Sequence, residues 1–125
     1  MATILIIDDE PSILAVMEEI LTDYGFAVVA AASAAEGLAA LGQGVRPQLI
    51  LLDLFMPEMS GKEFIAAIAA QPELRAIPVI LSTGTIPDPQ QFPPAGSYAD
   101  YICKPFDIED LIQRIETVLA TGVST

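Results

Sequence analysis

Leu49-Ile50-Leu51-Leu52-Asp53 has no polar residue before its last position. Three other runs repeat the pattern: Ile4-Leu5-Ile6-Ile7 ahead of Asp8 and Asp9, Val79-Ile80-Leu81-Ser82 ahead of Thr83, and Tyr101-Ile102-Cys103 ahead of Lys104. Short apolar runs separated by helical patterns read as strands of a parallel sheet buried on both faces. In an open α/β sheet the carboxyl ends of the strands face one crevice, where ligands bind. Residues scattered from position 8 to position 104 would then meet there: three carboxylates, one hydroxyl and one ammonium. That set suits a divalent cation and a phosphoryl group.

Between these runs the pattern turns helical. A strand over 3–7 is followed by a helix from Pro11, with Ile13, Leu14, Met17, Ile20, Leu21 and Tyr24 spaced by three and four along one face. Pro11 suits a first turn and Gly25 a stop. A second strand covers 27–31, and Ser33-Ala34-Ala35-Glu36 opens a helix to 41 with a capping-box pattern. The third strand covers 48–52 and ends at Asp53; a helix over 62–70 turns Phe64, Ile65 and Ile68 inward. A fourth strand covers 79–82 and a fifth 101–103; Asp107 caps a last helix over 108–120. Alternating strand–helix units imply a parallel sheet with helices on both faces. Pro87, Pro89, Pro93 and Pro94 interrupt the place where a helix between the last two strands would fall. Each proline removes a donor and clashes with the preceding turn, so the expectation over 86–97 is an irregular loop, or one turn at most.

The bulk numbers narrow the function. A chain of 125 residues, 53% apolar, supports one domain. No apolar stretch approaches the roughly 18 residues of a membrane span, and no basic n-region precedes the acids near the start. The cytoplasm is the expected compartment. A net charge of −12, with five Lys+Arg, opposes binding to nucleic acid and to anionic membranes. Protein partners and a cation are the expectation instead. The absence of histidine excludes His-based zinc sites, catalytic triads and phosphohistidine within the chain. Cys103, the single cysteine, is expected to be a small buried hydrophobe.

Each site residue has a reason to be where it is. Asp8 and Asp9, leaving one strand, can approach a single Mg²⁺, which takes one or two carboxylates plus waters and phosphate oxygens; acids also favour the N-terminus of the helix that follows. Asp53 can act as a nucleophile and form an acyl phosphate, or serve as an ordinary turn acid. Crowded carboxylates repel one another, and a cation relieves that repulsion. Thr83 and Lys104 can hold phosphate oxygens, or be a strand-end hydroxyl and a solvated lysine. The bond between Lys104 and Pro105 can be cis in a fixed turn.

Four stretches, Ile7-Asp8-Asp9-Glu10-Pro11, Asp53 through Gly61 (DLFMPEMSG), Pro78 through Gly84 (PVILSTG) and Tyr101-Ile102-Cys103-Lys104-Pro105-Phe106, together resemble the receiver domain of two-component response regulators along essentially the whole chain. The resemblance implies a flavodoxin-like (βα)5 three-layer sandwich with strand order 2-1-3-4-5. It implies that Asp53 accepts phosphate from a sensor histidine kinase or a histidine phosphotransfer protein. Mg²⁺ would be held by Asp8, Asp9, Asp53 and the backbone carbonyl of Phe55, and the phosphoryl group by Thr83 and Lys104. Thr83 and Tyr101 would form a switch read by a downstream protein; Tyr101 also reads as a half-buried strand aromatic. The receiver is expected over 1–121, with a tail at 122–125 and no output domain.

The proline-rich stretch departs from the family's fourth helix, which belongs to its usual signalling face. Gly96 stands five residues before Tyr101, where the family has four. The expectation is therefore a monomer or weak dimer whose partners read the loop, with Phe92 as a partner anchor or a core plug. Two other functions compete: a receiver-like interaction module that needs no phosphate, and a Mg²⁺-dependent phosphohydrolase. The phosphohydrolase often wants a second acid two residues after the nucleophile, where this chain has Phe55.

Overall fold

The computed structural model describes residues 2–54, 56, 58–84, 93–94 and 96–121. Five strands, β1 (Thr3–Ile7), β2 (Ala27–Ala31), β3 (Leu49–Asp53), β4 (Val79–Thr83) and β5 (Asp100–Cys103), form one parallel sheet in the order β2-β1-β3-β4-β5. Four helices connect or follow them among the described residues: α1 (Pro11–Asp23), α2 (Ala34–Gly42), α3 (Gly61–Ala69) and α4 (Ile108–Thr121). This is the flavodoxin-like arrangement expected from the sequence.

Strand alternation creates two cores. Leu5, Ile7, Ile50, Leu52, Val79 and Leu81 point to one face, where they meet Leu41 of α2 and Phe64, Ile65 and Ile68 of α3. Ile4, Ile6, Leu49, Leu51, Ile80 and Ile102 point to the other, against Met17 and Leu21 of α1 and Leu111, Ile112, Ile115 and Val118 of α4. The continuous apolar runs are explained: each strand must be apolar on both sides because helices cover both. Burial of each such side chain contributes about 1.5–3 kcal/mol.

The helices start where local chemistry places them. Pro11 occupies the first turn of α1, and the chain leaves that helix through Gly25 at φ +96°. The Ser33 hydroxyl accepts from the Glu36 N–H at 3.1 Å. A reciprocal capping box forms on α3, where the Ser60 hydroxyl accepts from Glu63 N–H and the Glu63 carboxylate accepts from Ser60 N–H. Asp107 Oδ1 accepts from Glu109 N–H at 2.9 Å at the head of α4.

Three expectations need correction or fall outside the description. Cys103 is exposed, not buried. Ile102 takes the inward place against α4, so by alternation Tyr101 and Cys103 face the other way on an edge strand. Tyr24, assigned to the apolar face of α1, is 52% exposed, because it lies past the last turn as the C-cap. Most of the 86–97 segment, with Phe92, lies outside the described residues. Of its described residues, Pro93, Pro94, Gly96 and Ser97 are not helical. Ser97 closes a turn there by donating from both its N–H and its hydroxyl to the Pro94 carbonyl.

One close approach ties α3 to the end of β3. A Cβ on Gly61 would stand 3.0 Å from Leu54 Cα and 3.3 Å from its carbonyl oxygen, which itself accepts from Gly61 N–H at 2.8 Å. Backbone cannot rotate away as a side chain can. Gly61→Ala is therefore expected to suffer overpacking of about 1–3 kcal/mol, set against about 1 kcal/mol of helix propensity gained. Gly42→Ala, with nothing within 4 Å, keeps only the gain. Urea midpoints should fall for the first and hold or rise for the second; equal midpoints would show that the β3–α3 turn is loose.

Candidate functional site

The chain runs from β1 out to β2 and back across to β3, so the crevice at the carboxyl ends of β1 and β3 is the topological switch point of the sheet. Asp8 leaves β1 there and Asp53 ends β3. The hydrogen-bond ladders continue past the strand ends and fix the backbone. Asp8 N–H donates to the Ala31 carbonyl at 3.1 Å, Leu54 N–H to Ser82 at 2.8 Å, and Lys104 N–H to Thr83 at 2.6 Å.

The structure brings Asp8, Asp9 and Asp53 together, each offering a carboxylate oxygen within 4.8 Å of the others. Asp8 and Asp53 are 4% and 5% exposed; Asp9 is half-buried. Lys104 Nζ lies 3.1 Å from Asp8 Oδ2 and 3.5 Å from Asp53 Oδ2. Burial alone would lower the lysine's pKa and is the largest single influence. The hydrogen bond to Asp8 and the charges of Asp53, Asp8 and Glu10 together outweigh it, and the net shift is upward. Lys104 is thus an ammonium throughout the neutral range. The Lys104–Pro105 bond is cis.

Magnitudes decide between capping and crowding as the reason for the acids. A carboxylate at a helix N-terminus contributes about 0.3–1 kcal/mol. Two like charges 4 Å apart repel by about 4 kcal/mol at an effective dielectric of 20. Helix capping does not offset that, and Glu10, the N-cap residue of α1, makes no side-chain cap; Asp8 Oδ1 instead accepts from Glu10 N–H at 2.9 Å. One ammonium among three carboxylates leaves the pocket negative, and hard oxygen donors of this kind fit Mg²⁺.

Thr83 is fully buried at the end of β4, in register with Cys103 of β5. Tyr101, the residue assigned to the switch or to a half-buried place on the strand, is 39% exposed on the edge strand. Phe55, whose carbonyl was assigned to the metal, lies outside the described residues. Two neighbours escaped the sequence reading. Ser82 is buried directly across from Asp53 in the β3–β4 register; its polarity in an otherwise apolar run was the available signal. Glu10 adds its charge to the field around Lys104, as a third consecutive acid after β1 could have indicated.

Comparison with known proteins agrees with this geometry. Residues 4–116 match the response regulator receiver domain family. The chain is 32% identical over 121 residues to Protein PilH of Pseudomonas aeruginosa, covering 96% of this chain and 99% of that protein. It is 41% identical over 118 residues to a probable cyclic di-GMP phosphodiesterase of Vibrio cholerae, covering 94% of this chain but spanning only 26% of that protein. The response regulator TrrA of Thermotoga maritima, solved in complex with Mg²⁺-BeF, superposes with a TM-score of 0.81 at 26% identity, over 94% of this chain and 98% of that one. No helix among the described residues is long and apolar enough to cross a membrane. With a family match that runs from the first strand into the last helix, this chain belongs to the response regulator receiver domains of two-component signalling.

Proposed function

We propose that Asp53 is a phosphoacceptor and that the chain switches protein interactions in a phosphorelay. The observation that carries this reading is the buried Asp53 carboxylate sharing one pocket with Asp8, Asp9 and the Lys104 ammonium. In transfer from a phosphohistidine, an Asp53 oxygen forms a bond to phosphorus as the phosphorus–nitrogen bond breaks. The donor imidazole leaves with that electron pair, and Asp53 becomes an acyl phosphate. Asp8, Asp9 and Asp53, with the Phe55 carbonyl, would hold Mg²⁺, which when bound neutralises charge on the carboxylates and the transferring group. The Mg²⁺-BeF complex of the Thermotoga relative supports this choice of cation. Lys104, 3.5 Å from Asp53 Oδ2, donates to a phosphoryl oxygen, and the Thr83 hydroxyl donates to another.

Thr83 and Tyr101 serve as the switch: Thr83 engages the phosphoryl group, and the exposed ring of Tyr101 turns inward in response. The donor is a sensor histidine kinase or a histidine phosphotransfer protein, and the target a downstream protein. The receiver unit, residues 1–121, is not an enzyme toward outside substrates; it assists only its own phosphorylation and dephosphorylation. It works in the cytoplasm as a monomer or weak dimer, without nucleic acid or membrane.

Incubation with acetyl phosphate and Mg²⁺ should add one phosphoryl group to the intact mass, with no adduct in Asp53→Asn or after chelation. An adduct that survives in Asp53→Asn would place the acceptor elsewhere. Thermal melts should show Mg²⁺ stabilising the protein by about 3 kcal/mol at a hundredfold excess over Kd. Without metal, Asp53→Asn should melt higher than the parent because a repulsion is gone, and Lys104→Met lower because Asp8 loses its partner. Identical metal-free melting of all three proteins would mean that the carboxylates do not repel one another.

A further inference from the structure

Ser82 breaks an apolar strand. Val79, Ile80 and Leu81 precede it on β4, and it is 4% exposed. A buried hydroxyl is costly unless it is hydrogen-bonded, and as a donor it needs an acceptor.

Alternation along the strands sets which way it faces. Leu51 and Ile80 belong to the core against α1 and α4, while Leu52 and Leu81 belong to the core against α2 and α3. Asp53 and Ser82 stand two residues on from Leu51 and Ile80, so both take the α1–α4 side. They are also Cα partners in the β3–β4 register, which sets them about 4.7–4.9 Å apart across the sheet. The other register partner of Ser82 is Ile102, which offers no polar side chain. Lys104 is a donor only. Asp8 follows β1, on the far side of β3, and its two oxygens accept from Glu10 N–H and from Lys104. The side-chain acceptor on the neighbouring strand is the Asp53 carboxyl group.

We infer that Ser82 donates to the Asp53 oxygen that does not carry the phosphoryl group, and that this bond shortens the life of the acyl phosphate. The inference rests on the reading of Asp53 as an acceptor. In hydrolysis a water oxygen forms a bond to phosphorus as the bond from phosphorus to the Asp53 oxygen breaks. The electron pair stays on Asp53, which returns to a carboxylate, and both protons of the water leave with inorganic phosphate. The carbonyl oxygen of the acyl phosphate is uncharged, whereas in the departing carboxylate it shares the negative charge. A hydrogen bond to an ionised acceptor is roughly twice as strong as one to a neutral acceptor. The Ser82 bond therefore tightens as the carboxylate departs, and an interaction stronger in the transition state than before it speeds the step. Thr83 acts at the phosphoryl oxygens; Ser82 acts on the leaving group.

The test compares the lifetimes of the phosphoryl adduct in the parent, Ser82→Ala, Ser82→Thr and Ser82→Val. Each protein is incubated with acetyl phosphate and Mg²⁺, freed of the donor, and followed by intact mass. Serine and alanine form one pair of similar shape, threonine and valine another, and within each pair only one member has the hydroxyl. The adduct should decay roughly three- to tenfold more slowly in Ser82→Ala than in the parent, and in Ser82→Val than in Ser82→Thr. A side chain that merely fills space would group the lifetimes by size instead, serine with alanine and threonine with valine. That grouping, or faster decay without the hydroxyl, overturns the inference; where Ser82→Ala does not fold, the threonine–valine pair decides. A parent that takes no label overturns the reading of Asp53 itself. A labelled parent whose lifetime ignores the hydroxyl overturns only the role of Ser82.

Discussion

Three carboxylates crowd one crevice with a single ammonium between them, and the arrangement persists only because the sheet leaves them nowhere else to go. Asp8 follows β1 and Asp53 ends β3, and the side chains of Ile4 to Ile7 and Leu49 to Leu52 on those strands are sealed into two cores. A one-residue slip of either strand would turn an apolar face to solvent, so burial of Ile4 to Ile7 and Leu49 to Leu52 sets the position of the acids more firmly than any contact the acids make. The electrostatic cost is carried by hydrophobic register. Lys104 relieves part of it, and the remaining negative charge is what makes the crevice receptive to a cation.

The same logic explains why the site could be read from the chain and parts of its surroundings could not. A strand covered on both faces must be apolar throughout, so its first polar residue marks its end. Asp8 and Asp53 were legible for that reason, and Thr83 and Lys104 because they close the similar runs that follow. Cys103 and Tyr24 were misread because a pattern at an element's edge carries less information. β5 has a neighbour on one side only, and its alternation alone decides that Ile102 is covered and Cys103 is not. Tyr24 keeps the helical spacing of α1 after the helix has ended. The box at Ser60 and Glu63 has the pattern used to recognise the start of α2, yet it escaped notice because the glycine between them reads as loop. Of the proline-rich stretch after β4, the described residues include a turn closed on Pro94, and the rest lies outside the described residues.

Arg114 shows how an acid-rich last helix is joined to the edge of the sheet. Its guanidinium joins Asp100 on β5 to Asp110 on α4 and reaches the Tyr101 carbonyl at 3.3 Å. Hydrogen bonding to Asp100 is the main influence that raises its pKa. Exposed pairs contribute little to stability; this one matters more as an orienting bracket. It aligns the last helix with the edge strand while engaging the one basic residue that α4 carries.

The bond from Lys104 Nζ to Asp8 joins residues 96 positions apart, and it has a consequence for how the protein comes into existence. Asp8 and Asp53 leave the ribosome well before Lys104 does. Contacts of such long sequence separation form late, after the loop between them has closed. A chain that ends before residue 104 therefore carries Asp53 without the ammonium that lies 3.5 Å from it in the folded protein. The pocket is complete only once β5 has joined the sheet and Lys104 has met Asp8.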